Sequence, residues 1–296
     1  MSRATASPHR GVVVPPTLLV LGGVTSVQFG AALAKSLFDD IGVGGTVWLR
    51  VALAAVILAA FWRPSVRGHP RADVWLLLLF GVSLAGMNLA FYASLDRIPL
   101  GVAVTLEFVG PLGVAVAGSR RALDLGWVVL AAAGILLLSD LGGDKLDALG
   151  MALALLAGGF WAAYILLAAR VGRGFPGGGG LALSMVVAGL LLTPIGIAQG
   201  GAELLDPLVL AIALGVAVLS SAIPYSLELE ALRRMPASVF GVLMSLEPGV
   251  AALVGFLLLS EGLVTREVVA IGLVVAASAG AARTASADRA RQASPV

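Results

Sequence analysis

Residues 99–118 read Pro-Leu-Gly-Val-Ala-Val-Thr-Leu-Glu-Phe-Val-Gly-Pro-Leu-Gly-Val-Ala-Val-Ala-Gly, an apolar run with a carboxylate, Glu107, and a proline, Pro111, near its middle. It is long enough to cross a hydrocarbon core as a helix. Proline removes a backbone donor and crowds the preceding turn, so the helix is expected to bend or open there. The pattern returns 137 residues later: Pro236, Val239, Leu243, Pro248, Ala252 and Gly255 match Pro99, Val102, Leu106, Pro111, Ala115 and Gly118. Leu95/Leu232 and Arg97/Arg234 extend the match upstream. Leu95, Pro99, Val102 and Leu106 are spaced four, three and four apart, which puts the matched residues on one helical face. The second copy also carries an acid, Glu247, but at a different point: Glu107 matches Met244, and Glu247 matches Gly110.

Working outward, the same apolar ruler gives ten spans, near 17–38, 45–62, 74–95, 100–118, 125–141, 147–169, 180–198, 207–229, 237–259 and 265–283. Only 12% of the chain is charged, about half the share of a soluble domain, and its mean hydropathy is +1.02. An all-α polytopic membrane protein is therefore expected. Arg3 and Arg10 precede the first run, but with nine comparable runs following they read as a cytoplasmic flank, not a secretory leader. Basic residues near span ends are retained in the cytoplasm. Arg63, Arg67, Arg71, Arg120, Arg121, Arg170, Arg173, Arg233 and Arg234 fall in one alternating set of connections, whereas the other holds only Lys35, Arg97, Lys145 and Arg266. That bias assigns both termini to the cytoplasm.

Orientation makes the repeat mechanistic. The offset carries a position from the fourth span to the ninth, five spans on, so the two copies run in opposite directions. Residues 1–143 then form one five-helix repeat with a short cytoplasmic tail, 1–16; residues 144–284 form the inverted second repeat, and 285–296 a cytoplasmic tail. Inverted repeats are the architecture of alternating-access transporters, with substrate near the midplane between the halves. Pro111 and Pro248, at matching places, are the candidate hinges.

The net charge of +2 does not suggest nucleic-acid binding, and the absence of cysteine excludes disulfides and thiolate chemistry. Both histidines, His9 and His69, stand in polar segments. There is no metal-ligand spacing, no nucleophile beside a base and no phosphate-binding loop, so no cofactor, metal or catalytic residue is assigned. Gly177 to Gly180, after Pro176, read as a flexible turn. Glycines 22–23, 113, 118 and 158–159 read as points of close helix approach.

An acid at mid-membrane is costly unless paired, hydrated or protonated, which makes Glu107 and Glu247 substrate-binding candidates. The other candidates are Gln28 and Phe29 on the first span, Asn88 and Tyr92 on the third, Trp161 and Tyr164 on the sixth, and Ser221 and Tyr225 on the eighth. Phe91, Phe160 and Ser220 extend the same set. Amides and aromatics suit a small amphipathic solute. Trp161 and Tyr164, three apart, share a face. Arg50, at the outer side of the second span, reads as an anchor snorkelling to the interface; the competing reading turns it to the cavity, against a carboxylate. Lys35, beside Asp39 and Asp40, reads as interfacial.

Leu-Glu-Phe-Val-Gly-Pro-Leu at 106–112 with Ser119-Arg120-Arg121, Phe-Trp-Ala-Ala-Tyr-Ile at 160–165, and Gly-Val-Leu-Met-Ser-Leu-Glu-Pro at 241–248 resemble the EamA family of the drug/metabolite transporter superfamily. Within it the pattern is most similar to the inner-membrane threonine/homoserine exporter branch and to related amino-acid exporters. The resemblance spans nearly the whole chain. It implies efflux of amino acids or similar metabolites through a central cavity lined by the first, third, fourth, sixth, eighth and ninth spans. The expected partners are a lipid bilayer, a small-molecule substrate and, as candidate coupling ion carried by the mid-span acids, the proton. Aromatic amino acids, drugs and other metabolites are the alternative cargo on this fold; a passive channel or an intramembrane enzyme is the alternative class.

Overall fold

Proline and glycine set the ends of the helices. Pro16 and Pro207 occupy first-turn positions and Pro70 and Pro99 N-cap positions, where their missing donor costs nothing. The computed structural model describes residues 14–65, 68–117, 122–139, 147–175, 178–232, 234–235, 240 and 243–293. In chain order the helices are α1 (Pro16–Lys35), α2 (Phe38–Trp62), α3 (Arg71–Leu95), α4 (Leu100–Glu107), α5 (Val109–Ala117), α6 (Ala122–Ser139), α7 (Ala148–Gly174), α8 (Gly179–Gly200), α9 (Pro207–Ala217), α10 (Ile223–Leu232), α11 (Glu247–Leu258) and α12 (Thr265–Ala293). A π turn, Val218–Ala222, joins α9 to α10, and no strand occurs among the described residues. Asp147 and Asp206 cap α7 and α9, accepting from Gly150 N at 2.8 Å and Leu208 N at 2.7 Å.

Five helical stretches are long and apolar enough to cross a membrane: Pro16–Lys35, Phe38–Trp62, Arg71–Leu95, Ala148–Gly174 and Gly179–Leu205. Among the shorter apolar helices, those around Pro111, Pro248 and the π turn are interrupted at those points. Val56, Phe61, Trp75, Leu79, Leu190 and Phe256 stand more than half exposed on the outside. Such a coat is suited to hydrocarbon rather than water.

The helices pair across the chain: α2 lies along α8, α3 along α7, α6 along α12, α1 along α10 and α4 along α11. Small residues permit this. A Cβ on Gly101 of α4 would stand 2.6 Å from Ala252 Cα of α11. One on Gly158 of α7 would stand 2.6 Å from the Glu107 carbonyl oxygen. Glycines 22 and 23 likewise meet α10 at van der Waals distance, whereas Gly113 and Gly159 face open space and mediate no contact. Gly118 lies outside the described residues. Gly179 and Gly180 are the first residues of α8 rather than turn, since α8 must start there for Gly180 to accept Val171 against it; Gly177 lies outside the described residues.

Helix α2 begins seven residues ahead of the predicted start and carries a break at Gly42, whose φ of 67° only glycine adopts freely. Gln199 of α8 repairs the break, its Oε1 accepting from Gly44 N at 2.6 Å. The polar start of α2, Asp39-Asp40, and its glycines made it look like a loop. Tertiary contact overrode that local signal.

A candidate substrate cavity between broken helices

Pro111 cannot donate to the carbonyl four residues back, which belongs to Glu107, and α4 ends at Glu107. Pro248 leaves the Met244 carbonyl without its usual donor in the same way, and a turn at Ser245 and Leu246 precedes α11. The two breaks thus fall at positions 137 residues apart, and each carries an acid. Glu107 is the last residue of α4 and 8% exposed; Glu247 is the first of α11 and 7% exposed. Pro236 and Val239, the upstream part of the second copy, lie outside the described residues.

Both acids border one cavity of about 250 Å³. Gln28, Asn88, Tyr92, Trp161 and Tyr164 line it with them, so seven of the ten substrate-binding candidates are brought together. Phe91 and Ser220 also line it. Phe29 does not, and stands 42% exposed. Ser221 is buried but does not border the cavity. The Tyr225 side chain lies outside the described residues.

The cavity has two chemically opposite walls. On one, Gln28 Nε2 donates to Glu247 Oε1 at 3.0 Å, which orients the carboxylate. On the other, Arg50 Nη1 donates to Asn88 Oδ1, and its guanidinium lies 5.1 Å from the Tyr92 ring centroid. Asn88 is itself fixed by donating from Nδ2 to Leu84 O at 2.8 Å. The aromatic lining is locked by packing: Trp161 meets Phe108 edge-on at 5.0 Å, and Tyr164 meets Phe80 at 5.0 Å.

Arg50 is therefore a cavity residue and not an interfacial anchor. With α2 starting at Phe38, Arg50 stands twelve residues into the helix. There it borders the cavity and is bonded to Asn88. Glu228 of α10 is a further cavity acid, not among the residues singled out from the sequence. The usable signal was its place inside the expected eighth span, where any ionisable residue is a functional candidate. Three acids against one guanidinium leave the cavity short of positive charge.

Several cavity groups also lack a hydrogen-bond partner in the protein although buried: Gln28 Oε1, Arg50 Nε, Tyr92 Oη, Ser220 Oγ and Glu247 Oε2. Buried polar atoms are ordinarily paired, and clustering of exceptions marks a place where a ligand completes the bonding. The set contains acceptors on the glutamate wall and donors on the arginine wall.

Comparison with known proteins agrees with this architecture. The model of the EamA-like transporter family matches residues 148–283. The threonine/homoserine exporter RhtA of Escherichia coli strain K12 is 45% identical over 271 residues, covering 91% of this chain and 92% of that protein. The chain belongs to the EamA-like transporter family. RhtA of Salmonella typhimurium strain SL1344 is likewise 45% identical over 271 residues. YwfM of Bacillus subtilis strain 168, an uncharacterized transporter, is 27% identical over 250 residues, 83% of this chain and 77% of that protein. A crystal structure 17% identical in sequence superposes with a TM-score of 0.57 over 89% of this chain and 97% of its own, a likeness of fold. An EamA-like chain is a membrane-embedded transporter of a small-molecule substrate and not an enzyme.

Proposed function

We propose that this EamA-like protein is an inner-membrane secondary transporter exporting small amino acids of the threonine and homoserine kind. The observation that carries the reading is the pair of opposite walls in one cavity. Arg50, steadied by Asn88, suits an α-carboxylate, and Glu247, steadied by Gln28, suits an α-ammonium. The relatives named for threonine and homoserine export support the cargo.

Export proceeds by alternating access of two inverted repeats, residues 1–143 and 144–284, with ten spans and both termini in the cytoplasm. The helix pairing supports this: exchanging each helix for the one five spans away turns α3 along α7 into α10 along α1, and leaves α2 with α8, α4 with α11 and α6 with α12 as they were. Pro111 and Pro248 are the hinges. The resting form is closed outside. There Lys35 Nζ of α1 pairs with Glu261 Oε1 at 2.8 Å, while Glu261 Oε2 accepts from Leu100 N, at the start of α4, at 2.8 Å. Protons are the counter-substrate, exchanged on the cavity acids.

The test is exchange in proteoliposomes. Preloaded threonine should exchange saturably with external radiolabelled threonine, homoserine should compete, and Glu247→Gln should lower exchange at least about tenfold, as expected for loss of a charged hydrogen bond. Unchanged exchange and pH dependence in Glu247→Gln would remove that carboxylate from the mechanism. Linear, non-saturating flux would favour a channel.

A further inference from the structure

The charged walls account for the groups common to all amino acids and leave two cavity hydroxyls unused, those of Tyr92 and Ser220. Tyr92 is 1% exposed and Ser220 7%, and neither hydroxyl oxygen makes a well-formed hydrogen bond to a protein group. The Tyr92 hydroxyl lies within reach of Ser220 and of Arg50, loose contacts that a ligand hydroxyl can complete. We propose that they form a side-chain reader which selects substrates bearing a hydroxyl on the side chain; this rests on the amino-acid reading of the cavity.

Ser220 departs from the pattern of most buried hydroxyls in this protein, as does Ser278 of α12, which does not border the cavity. A buried hydroxyl on a helix ordinarily bonds back to a carbonyl one turn earlier. Thr46, Thr105 and Thr193 each do so, to Gly42, Gly101 and Gly189, at 2.6–2.9 Å. Ser83 and Ser184 instead reach carbonyls of neighbouring helices, at 2.7 and 3.1 Å. Ser220 does neither, because it sits in the π turn, where the helical register is displaced. Helix α1 fixes that turn from the other side. Ser26 Oγ donates to Leu219 O at 2.7 Å, and Gly30 makes room for Ser220, whose Oγ any Cβ there would strike. Ser220 is thus held at the cavity with only a loose contact to Tyr92, leaving bonding capacity for a ligand. Such π turns recur at functional sites.

The chemistry of selection follows. A hydroxyl on the cargo can donate to one of these oxygens and accept from the other. A methyl group in its place would leave both unpaired, and sites built to pair a hydroxyl discriminate strongly against analogues lacking it. An apolar wall would do the opposite and prefer valine.

The experiment compares isosteres that exchange hydroxyl for methyl: threonine against valine, and homoserine against norvaline, as competitors of threonine exchange by the full chain in proteoliposomes. The native protein should favour the hydroxylated member of each pair by about tenfold or more. Tyr92→Phe and Ser220→Ala, made separately and together, should bring the ratio towards one while valine competes as well as before or better. Because the ratio is internal to each preparation, poor folding of a variant changes the amount of exchange and not the ratio. No preference in the native protein, or an unaltered preference in both variants, overturns the reader while leaving the amino-acid site standing. Failure of the native protein to exchange any amino acid would refute the site itself, and the reader with it.

Discussion

On the proposed orientation and latch, replacing Lys35 by methionine should open the outer end of the protein. The Lys35 and Glu261 side chains are 24% and 12% exposed, between surface pairs worth 0–1 kcal/mol and buried pairs whose rupture costs about 3–5 kcal/mol. A loss of about 1–2 kcal/mol is the reasonable figure, or roughly 5–30-fold in the balance between outer-closed and outer-open forms. Glu261 keeps its bond from Leu100 N, so the substitution isolates the ion pair from the helix start. The chain has no cysteine, so a single one can be placed without removing any other. Val104→Cys, on the cavity wall, is labelled with a membrane-impermeant maleimide added outside right-side-out vesicles. Its labelling rate should rise roughly 5–30-fold in the Lys35→Met background and stay near the parent value with Lys35→Arg, which preserves the pair. Equal rates in Lys35→Met and its parent, at unchanged thermal stability, would refute the latch.

Gly158→Val should lower the midpoint of thermal unfolding in detergent by an overpacking cost of about 1–3 kcal/mol or more, because its Cβ would stand 2.6 Å from a backbone oxygen that cannot give way. Gly159→Val, facing open space, should leave the midpoint in place. Arg50→Lys keeps the charge but loses the planar fork and the stacking on Tyr92, so threonine should need roughly tenfold more substrate for half-maximal exchange; an unchanged requirement would mean that charge alone suffices. Bonds from Gly150 N and, secondarily, Arg97 hold the Asp147 carboxyl below its ordinary range. Its folded value thus lies under its unfolded one, so its contribution is complete above about pH 3.9 and is lost as pH falls further, through the lowered value. The stability gap between the native protein and Asp147→Ala, followed by thermal unfolding from pH 6 to pH 3, should narrow only at the acid end.

Apolar composition made the all-helical, membrane-embedded character legible, though five of the ten expected spans appear as single helices of spanning length, and the two prolines made the breaks near Glu107 and Glu247 legible, since both are local properties. The acids could be found for the same reason: a carboxylate in an apolar run needs no neighbour to be conspicuous. Facing is different. Gln28 and Phe29 were equally eligible by type, but successive residues on a helix point about 100° apart, and only Gln28 reaches the cavity. Ser220 and Ser221 present the same choice with a further twist, because a π turn displaces the register in a way that composition does not announce. Arg50 was misjudged through the start of its helix, and that start depends on Gln199, a contact spanning 155 residues.

The repeat is close in its backbone and loose in its chemistry, and that division has a physical cause. Each proline orphans the carbonyl four residues back, so the two breaks are repeats of one backbone event. In the first copy the orphaned carbonyl belongs to Glu107 itself and is seated against Gly158, so acid and freed carbonyl are both acceptors on one residue. In the second copy the freed carbonyl belongs to Met244, and the acid lies after it, at the start of α11, where Gln28 supplies a donor. Helix starts favour negative charge and helix ends oppose it. Two carboxylates at the same break, but one helical turn apart in the repeat, therefore meet opposite backbone surroundings. A symmetric pair would treat cargo alike from both faces; on the proposed mechanism the two halves take different tasks, Glu247 holding an ammonium group in place and Glu107 gaining a donor and giving it up as the halves rock.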